Sequence, residues 1–307
     1  MPLTSSTRFD ASYDAEQLRK AMKGFGTDDN VLVHIFATRS NEELQAVREA
    51  YASLIKRDLV EDMISETSGD YRRACLAALL TKPEHDALML HNAMKGLGTD
   101  ENAMIEILAH ATREDVDSIK DAYLAKYGRT LEHDIEGDTS GYTKSFFFSL
   151  TNSLRDAGNP EEIDRDIIEL YHAGAAKWGT DESAFIDIVT KHDNEYVAAL
   201  NVAYGRRFGN TLLGAVKSEM SGWLYKGLKA MLTPHDEYFA HALFKAVDGA
   251  GTCDATLLRI LPSKRDRLVE INNRFMNMYD KDLKHRIKEE VSGKYAEILL
   301  NNVLRVC

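Results

Sequence analysis

Cysteine is scarce in this chain and poorly placed for either of its usual structural uses. The 307 residues contain three, Cys75, Cys253 and Cys307, an odd number with no short spacing, so neither a disulfide framework nor a thiolate zinc site is indicated. Long apolar runs are missing as well. The best, ACLAALL at 74–80, falls far short of the roughly 18 residues that cross a bilayer, and Cys75 within it reads as core. The opening MPLTSSTRFD has no apolar run, which argues against a secretory signal. Positive charge is in deficit, 38 Lys and Arg against 49 Asp and Glu. The net charge of −11 excludes nucleic acid as a natural partner, and a bare anionic membrane too, unless a cation intervenes. Catalytic signatures are also absent: no P-loop, no GxSxG, no HExxH and no nucleophile beside an obvious base, so the chain does not read as an enzyme. What remains is a soluble, cytoplasmic globular protein.

Repetition is what the sequence has in abundance. MKGFGTDD at 22–29 returns as MKGLGTDE at 94–101, and more loosely as AKWGTDE at 176–182 and VDGAGTCD at 247–254. Aligned on Gly24, Gly96, Lys177 and Gly249, the copies are 72, 81 and 72 residues apart, so the chain holds four units. The longer middle interval contains RDAGNPEEIDRD at 155–166, which reads as a linker dividing the chain into two halves of two units. Within the first unit Ala15, Leu18, Met22 and then Val31, Leu32, Ile35, Phe36 recur at three- and four-residue steps, the period of amphipathic helices. Further helical stretches over 42–51, 56–64 and 69–80 make about five helices per unit, and the expected class is all-α. Thr27, Thr99 and Thr180 are suited to N-cap the helix after each glycine loop.

A Gly-x-Gly turn between helices exposes main-chain carbonyls, hard oxygen ligands suited to calcium that need an anionic partner. No EF-hand loop supplies one, so the acid must come from elsewhere in the chain. Glu66, Asp138 and Glu219 each stand 42 residues after the aligned loop position and two before a Ser-Gly; Glu290 follows at 41. The glycines taken alone would be helix C-caps, and the acids N-caps of the next helix; their regular pairing favours a calcium site.

Four units with a K-G-x-G-T-[DE] loop and an acid about 42 residues later resemble the annexin family, over nearly the whole chain. The resemblance implies four five-helix repeats forming a curved disc, at 13–80, 84–154, 163–231 and 235–305, with a tail at 1–12 and a linker at 155–162. It implies calcium held on the convex face by loop carbonyls and the distant carboxylate. The first site would use Met22, Gly24 and Gly26 with Glu66, and the second Met94, Gly96 and Gly98 with Asp138. The third would use Lys177 and Gly179 with Glu219, its remaining carbonyl coming from Gly174 or Ala175. The fourth would use Val247, Gly249 and Gly251 with Glu290, but departs from the pattern in Asp248, in Cys253 and in its one-residue shortening. Accessory ions in the family use the threonine carbonyl and a following acid, which Thr27 with Asp29, Thr99 with Glu101 and Thr180 with Glu182 match.

One carboxylate and a few neutral carbonyls leave coordination positions that a phospholipid headgroup can fill, so calcium would bridge the acidic protein to acidic, phosphatidylserine-type membranes. Trp178 in the third loop is placed to enter the lipid interface, the plain alternative being that it packs on its own loop; Trp223 is a weaker candidate. Lys23 and Lys95 are candidates for lipid phosphate or are simply solvated. SFFFSL at 145–150 reads as a buried helix face. The short leader lacks the apolar face that docks an EF-hand partner, and self-association on membranes stays open. The competing class is a helical-repeat scaffold or cytoskeleton-associated protein whose partner binding ignores both calcium and membranes.

Overall fold

A computed structural model of the chain describes residues 9–24, 26–175, 179–248 and 251–305. The all-α expectation holds among them, each repeat contributing five helices. The first holds α1 (Ala11–Ala21), α2 (Asp29–Thr38), α3 (Asn41–Ile55), α4 (Leu59–Glu66) and α5 (Gly69–Leu79). The second holds α6 (Lys82–Met94), α7 (Glu101–Leu108), α8 (Arg113–Tyr127), α9 (Leu131–Asp138) and α10 (Gly141–Asn152). In the third are α11 (Ile163–Ala173), α12 (Glu182–Lys191), α13 (Asn194–Phe208), α14 (Leu212–Glu219) and α15 (Gly222–Leu232). The fourth has α16 (His235–Val247), α17 (Asp254–Ser263), α18 (Leu268–Tyr279), α19 (Leu283–Glu290) and α20 (Gly293–Ile298).

Local chemistry sets the boundaries. Capping boxes open α3 (Ser40 with Glu43) and α8 (Thr112 with Asp115), each cap worth about 1 kcal/mol. Lys56, expected inside a helix over 56–64, instead takes φ 59° and ends α3 in a left-handed turn, so the next helix starts only at Leu59. The short helices α4, α9, α14 and α19 all stop at the distant acid. Three residues on, Gly69, Gly141, Gly222 and Gly293 take φ of 59°, 54°, 66° and 73°, where a side chain would be strained. The Ser-Gly turn thereby fixes each acid as the last residue of its helix.

The chain packs as two compact units, 86–241 and the pair of segments 1–85 and 242–307. The second and third repeats therefore share one unit and the first and fourth share the other. The sequence reading placed the division at 155–166; the structure does not divide the chain there. Arg155, at the start of that stretch, is buried and donates to the carbonyls of Leu108 (2.9 Å), Ala109 (3.1 Å) and Ala111 (2.6 Å) at the end of α7. Burial pushes its pKa down to about 10. His192 adds a 2.7 Å bond to Asp156. A stretch rich in acids, Gly, Asn and Pro looks like a linker, but here it fastens the second repeat to the third.

In the 86–241 unit α10 packs on α12 and α7 on α15, around Tyr123, Phe146, Phe147, Phe185 and Tyr204. The SFFFSL face is buried as expected at Phe146, Phe147 and Leu150. In the other unit α2 and α5 pack on α20, and α5 on α17. Asn302 is buried there and donates to the carbonyls of Phe36 (2.8 Å) and Arg39 (2.7 Å). Cys75 lies in this core, while Cys253 is exposed.

Candidate metal centre

Each glycine loop is closed by one main-chain bond. The amide of Asp28 reaches the Ala21 carbonyl (2.9 Å), Asp100 reaches Ala93 (2.8 Å), Asp181 reaches Ala173 (2.8 Å) and Cys253 reaches Ala246 (2.8 Å). The third loop takes one residue more to close, matching its missing first glycine. Within the loops Gly24 and Gly26 take φ of 122° and 86°, and Gly96 and Gly98 of 114° and 85°, a backbone that residues with a Cβ rarely adopt. Among the described residues no hydrogen bond runs to the carbonyls of Met22, Gly24, Gly26, Met94, Gly96 or Gly98.

The threonine of each loop does not cap the following helix, as its position suggested. Asp28, Asp100 and Asp181 take the cap, accepting from Asn30, Ala103 and Ala184. The threonine hydroxyl is thus free to cross to the distant acid. Thr27 Oγ1 donates to the Glu66 carbonyl (3.3 Å), and Thr99 Oγ1 to the Asp138 carbonyl (3.2 Å) and its Oδ2 (2.7 Å). Thr180 Oγ1 approaches the Glu219 carbonyl (3.5 Å) and Oε2 (3.3 Å), and Thr252 Oγ1 the Glu290 carbonyl (3.4 Å). This hydroxyl is the functional group that the sequence reading missed; a threonine 39 residues before the acid in three repeats and 38 before it in the fourth was the signal. Nor are the acids N-caps of the next helix: Ser68, Ser140, Ser221 and Ser292 hold those places without a side-chain bond.

The loop therefore brings together the carbonyl ends of two helices, α1 with α4 and α6 with α9, and adds a carboxylate at the second. Each helix end carries roughly half a negative charge, and the carboxylate adds a whole one, so the arrangement favours a cation. In the second repeat a cleft of about 310 Å³ is lined by Met94, Lys95, Gly96 and Asp138, so three of its four predicted ligands share one cavity. Arg129, His133, His91, Asp134 and Gly137 complete its wall. Burial holds His91 below the ordinary imidazole range, leaving it neutral at pH 7. In the third repeat a Cβ on Gly174 would stand 3.2 Å from the Phe185 ring, with the Glu219 side chain at an ordinary contact distance of 3.5 Å, so this loop residue lies beside the acid. Lys177, Trp178 and Gly249 lie outside the described residues. Among the described residues no three His, Cys, Asp or Glu side chains cluster as a metal site. The donor set is instead carbonyl oxygens plus one carboxylate, which fits a hard cation such as calcium and not zinc.

Other candidates fare unevenly. The fourth site differs from the first two, because Arg286 Nη2 donates to the Val247 carbonyl (2.6 Å) and Nη1 to Glu290 Oε1. The accessory site at Thr27 and Asp29 is engaged internally: Asp29 donates its amide to the Thr27 carbonyl (3.1 Å) and pairs its carboxylate with Lys294 (2.6 Å). Trp223 is half-buried and packs against the core at Phe146 and Phe147, ring centroids 6.1 and 6.4 Å away. Lys23 and Lys95 are exposed. Leu97, not singled out from sequence, is fully exposed at the tip of the second loop.

The annexin family model matches residues 13–78, 85–150, 168–231 and 238–301. The chain is 38% identical to human annexin A7 over 302 residues, covering 96% of this chain and 62% of that protein. It is 37% identical to annexin A4 of Sus scrofa over 303 residues, covering 96% of this chain and 95% of that one. Among solved structures it is similar to annexin A8, with TM-score 0.87, 35% identity and coverage of 98% and 97%. A calcium-bound annexin (Sm)1 superposes with TM-score 0.75 at 29% identity, covering 97% and 91%.

Proposed function

The chain belongs to the annexin family, and from that premise we propose that it attaches reversibly to acidic phospholipid surfaces through calcium ions held at its glycine loops. Calcium-dependent phospholipid binding is general to that family, and calcium is present in the annexin (Sm)1 structure. The observation that carries the reading for this chain is the loop threonine set against the helix end that bears its distant acid in the first three repeats, its hydroxyl 3.2 to 3.5 Å from that carbonyl and closest at Thr99, 2.7 Å from the Asp138 carboxylate. It brings together groups 39 residues apart in the sequence. The first site would use the carbonyls of Met22, Gly24 and Gly26 with Glu66, and the second those of Met94, Gly96 and Gly98 with Asp138. Gly179 and Glu219 belong to the third.

Calcium supplies the charge that lets an anionic headgroup approach a chain of net charge −11. Linkage then requires lipid to raise calcium affinity by the same factor that calcium raises lipid affinity. Several weak sites acting together would give firm attachment that a chelator reverses. Lys23 and Lys95 stand beside the first two loops to meet phosphate, and Leu97 offers an apolar contact to the lipid interface. No described helix is long and apolar enough to cross a membrane, which suits peripheral attachment from the cytoplasm. The role is binding, without catalysis.

Sedimentation with phosphatidylserine vesicles tests the reading. The native chain should pellet in calcium and be released by EDTA, and E66Q/D138N/E219Q should stay in the supernatant at calcium levels that pellet the native chain. Attachment by the triple variant with unchanged calcium dependence would refute the ligand assignment, and calcium-indifferent partner binding would favour the scaffold.

A further inference from the structure

The residue four before each distant acid lies on the same face of its short helix, one turn back. It is Asp62 in the first repeat, Asp134 in the second, Ala215 in the third and Arg286 in the fourth. Asp62 bonds to Tyr51 (2.6 Å) and Arg57 (2.8 Å), and Asp134, which lines the cleft of the second loop, to Arg129 (2.8 Å) and the Tyr123 hydroxyl; neither bonds to a loop carbonyl. Arg286 behaves differently. Its Nη2 reaches the Val247 carbonyl at 2.6 Å, across 39 residues of chain, while its Nη1 binds the Glu290 carboxylate and lies 3.4 Å from Glu289. Val247 and Glu290 are the loop carbonyl and the distant acid that would hold calcium in this repeat.

We propose that Arg286 is the resident cation of the fourth repeat: its guanidinium holds together the loop carbonyl and acid that calcium would hold, so this site stays closed to calcium. The inference rests on the calcium reading of the other loops. An ordinary exposed i, i+4 ion pair is the bland alternative, but it would not reach a carbonyl in another helix. The Arg286 side chain is only 13% exposed, and Arg preceding Glu is the less favourable order for a helix-surface pair. The loop has changed in concert. Where the first two loops carry Lys23 and Lys95, the fourth carries Asp248. Calcium would have to enter beside a fixed positive charge and compete for two oxygens already bonded. Cys253 also leaves α17 without a side-chain cap where the other loops have aspartate.

The test counts calcium ions by equilibrium dialysis of the full chain in the presence of phosphatidylserine vesicles. R286Q, and R286M as a second neutral variant, should bind one more ion per chain than the native protein. R286K, which keeps the charge, should bind the native number, and R286Q/E290Q should lose the gained ion. A merely structural role for Arg286 would lower the thermal midpoint in EDTA without adding an ion. An unchanged count in both neutral variants, or a gained ion in R286K, overturns the inference while leaving the calcium reading intact. A native chain that binds no calcium, with E66Q, D138N and E219Q indistinguishable from it, overturns both.

Discussion

Replacing Glu219 with glutamine should change stability in opposite directions with and without calcium. Glu219 is the last residue of α14, where a negative charge faces the helix's own carbonyl end at a cost of about 0.5 kcal/mol. Little in the calcium-free chain offsets that cost, because the Thr180 hydroxyl stands 3.3 Å from Oε2 and 3.5 Å from the carbonyl, both long for a hydroxyl donor. E219Q should therefore gain about 0.5 kcal/mol in EDTA. Asp138 makes the contrasting case. Thr99 Oγ1 lies 2.7 Å from its carboxylate, and weakening that charge-assisted bond should cost about 1 kcal/mol, so D138N should be level with the native chain or slightly below it. In calcium the order reverses. At a free concentration a hundred times the dissociation constant, each site adds about 2.7 kcal/mol, and each variant loses its share. Both residues lie in the 86–241 unit, so urea unfolding followed by circular dichroism, in EDTA and in calcium, reads both terms in one transition. The reasoning fails if E219Q is less stable than native in EDTA, or keeps the full calcium increment.

Two further outcomes follow from groups outside the loops. R155M removes three donors from the carbonyls of Leu108, Ala109 and Ala111 and should cost about 3 kcal/mol or more in urea unfolding; a loss under about 1 kcal/mol would mean that 155–166 is a solvated linker after all. Asp62 is held below its ordinary pKa of 3.8 chiefly by the Arg57 hydrogen bond, with Tyr51 assisting against burial. Its contribution is thus present above about pH 4 and is lost as acid takes the pH through the lower folded value. The unfolding free energy of the native chain from urea titration should fall in that range, and that of D62N should be lower at pH 7, by about 2 kcal/mol, but flatter below pH 4. Parallel acid profiles for the two chains would show that Asp62 is not the titrating group.

The sequence by itself determined the four repeats, their helical class and the pairing of each glycine loop with a remote acid. These signals are local or periodic: apolar residues at three- and four-residue steps, Gly-x-Gly-Thr loops, and an acid two residues before a Ser-Gly turn. The threonine crossing to the acid was visible only as a recurring letter, because a hydroxyl that can cap its own helix gives no sign that an aspartate beside it will take that role. Arg286 was legible as a residue but not as an occupant, since nothing in HRIKEE says that a guanidinium will reach a carbonyl 39 residues earlier. Which repeats pack together was decided only by the tertiary structure. Helical periodicity tells each helix which face to bury, and all four repeats present similar faces. The choice of partner rests on burial and on a few polar bonds summed over distant segments, such as Arg155 onto the end of α7 and Asn302 onto α2. That sum joins the first repeat to the fourth across most of the chain, and it turns the stretch most like a linker into the joint between the second and the third.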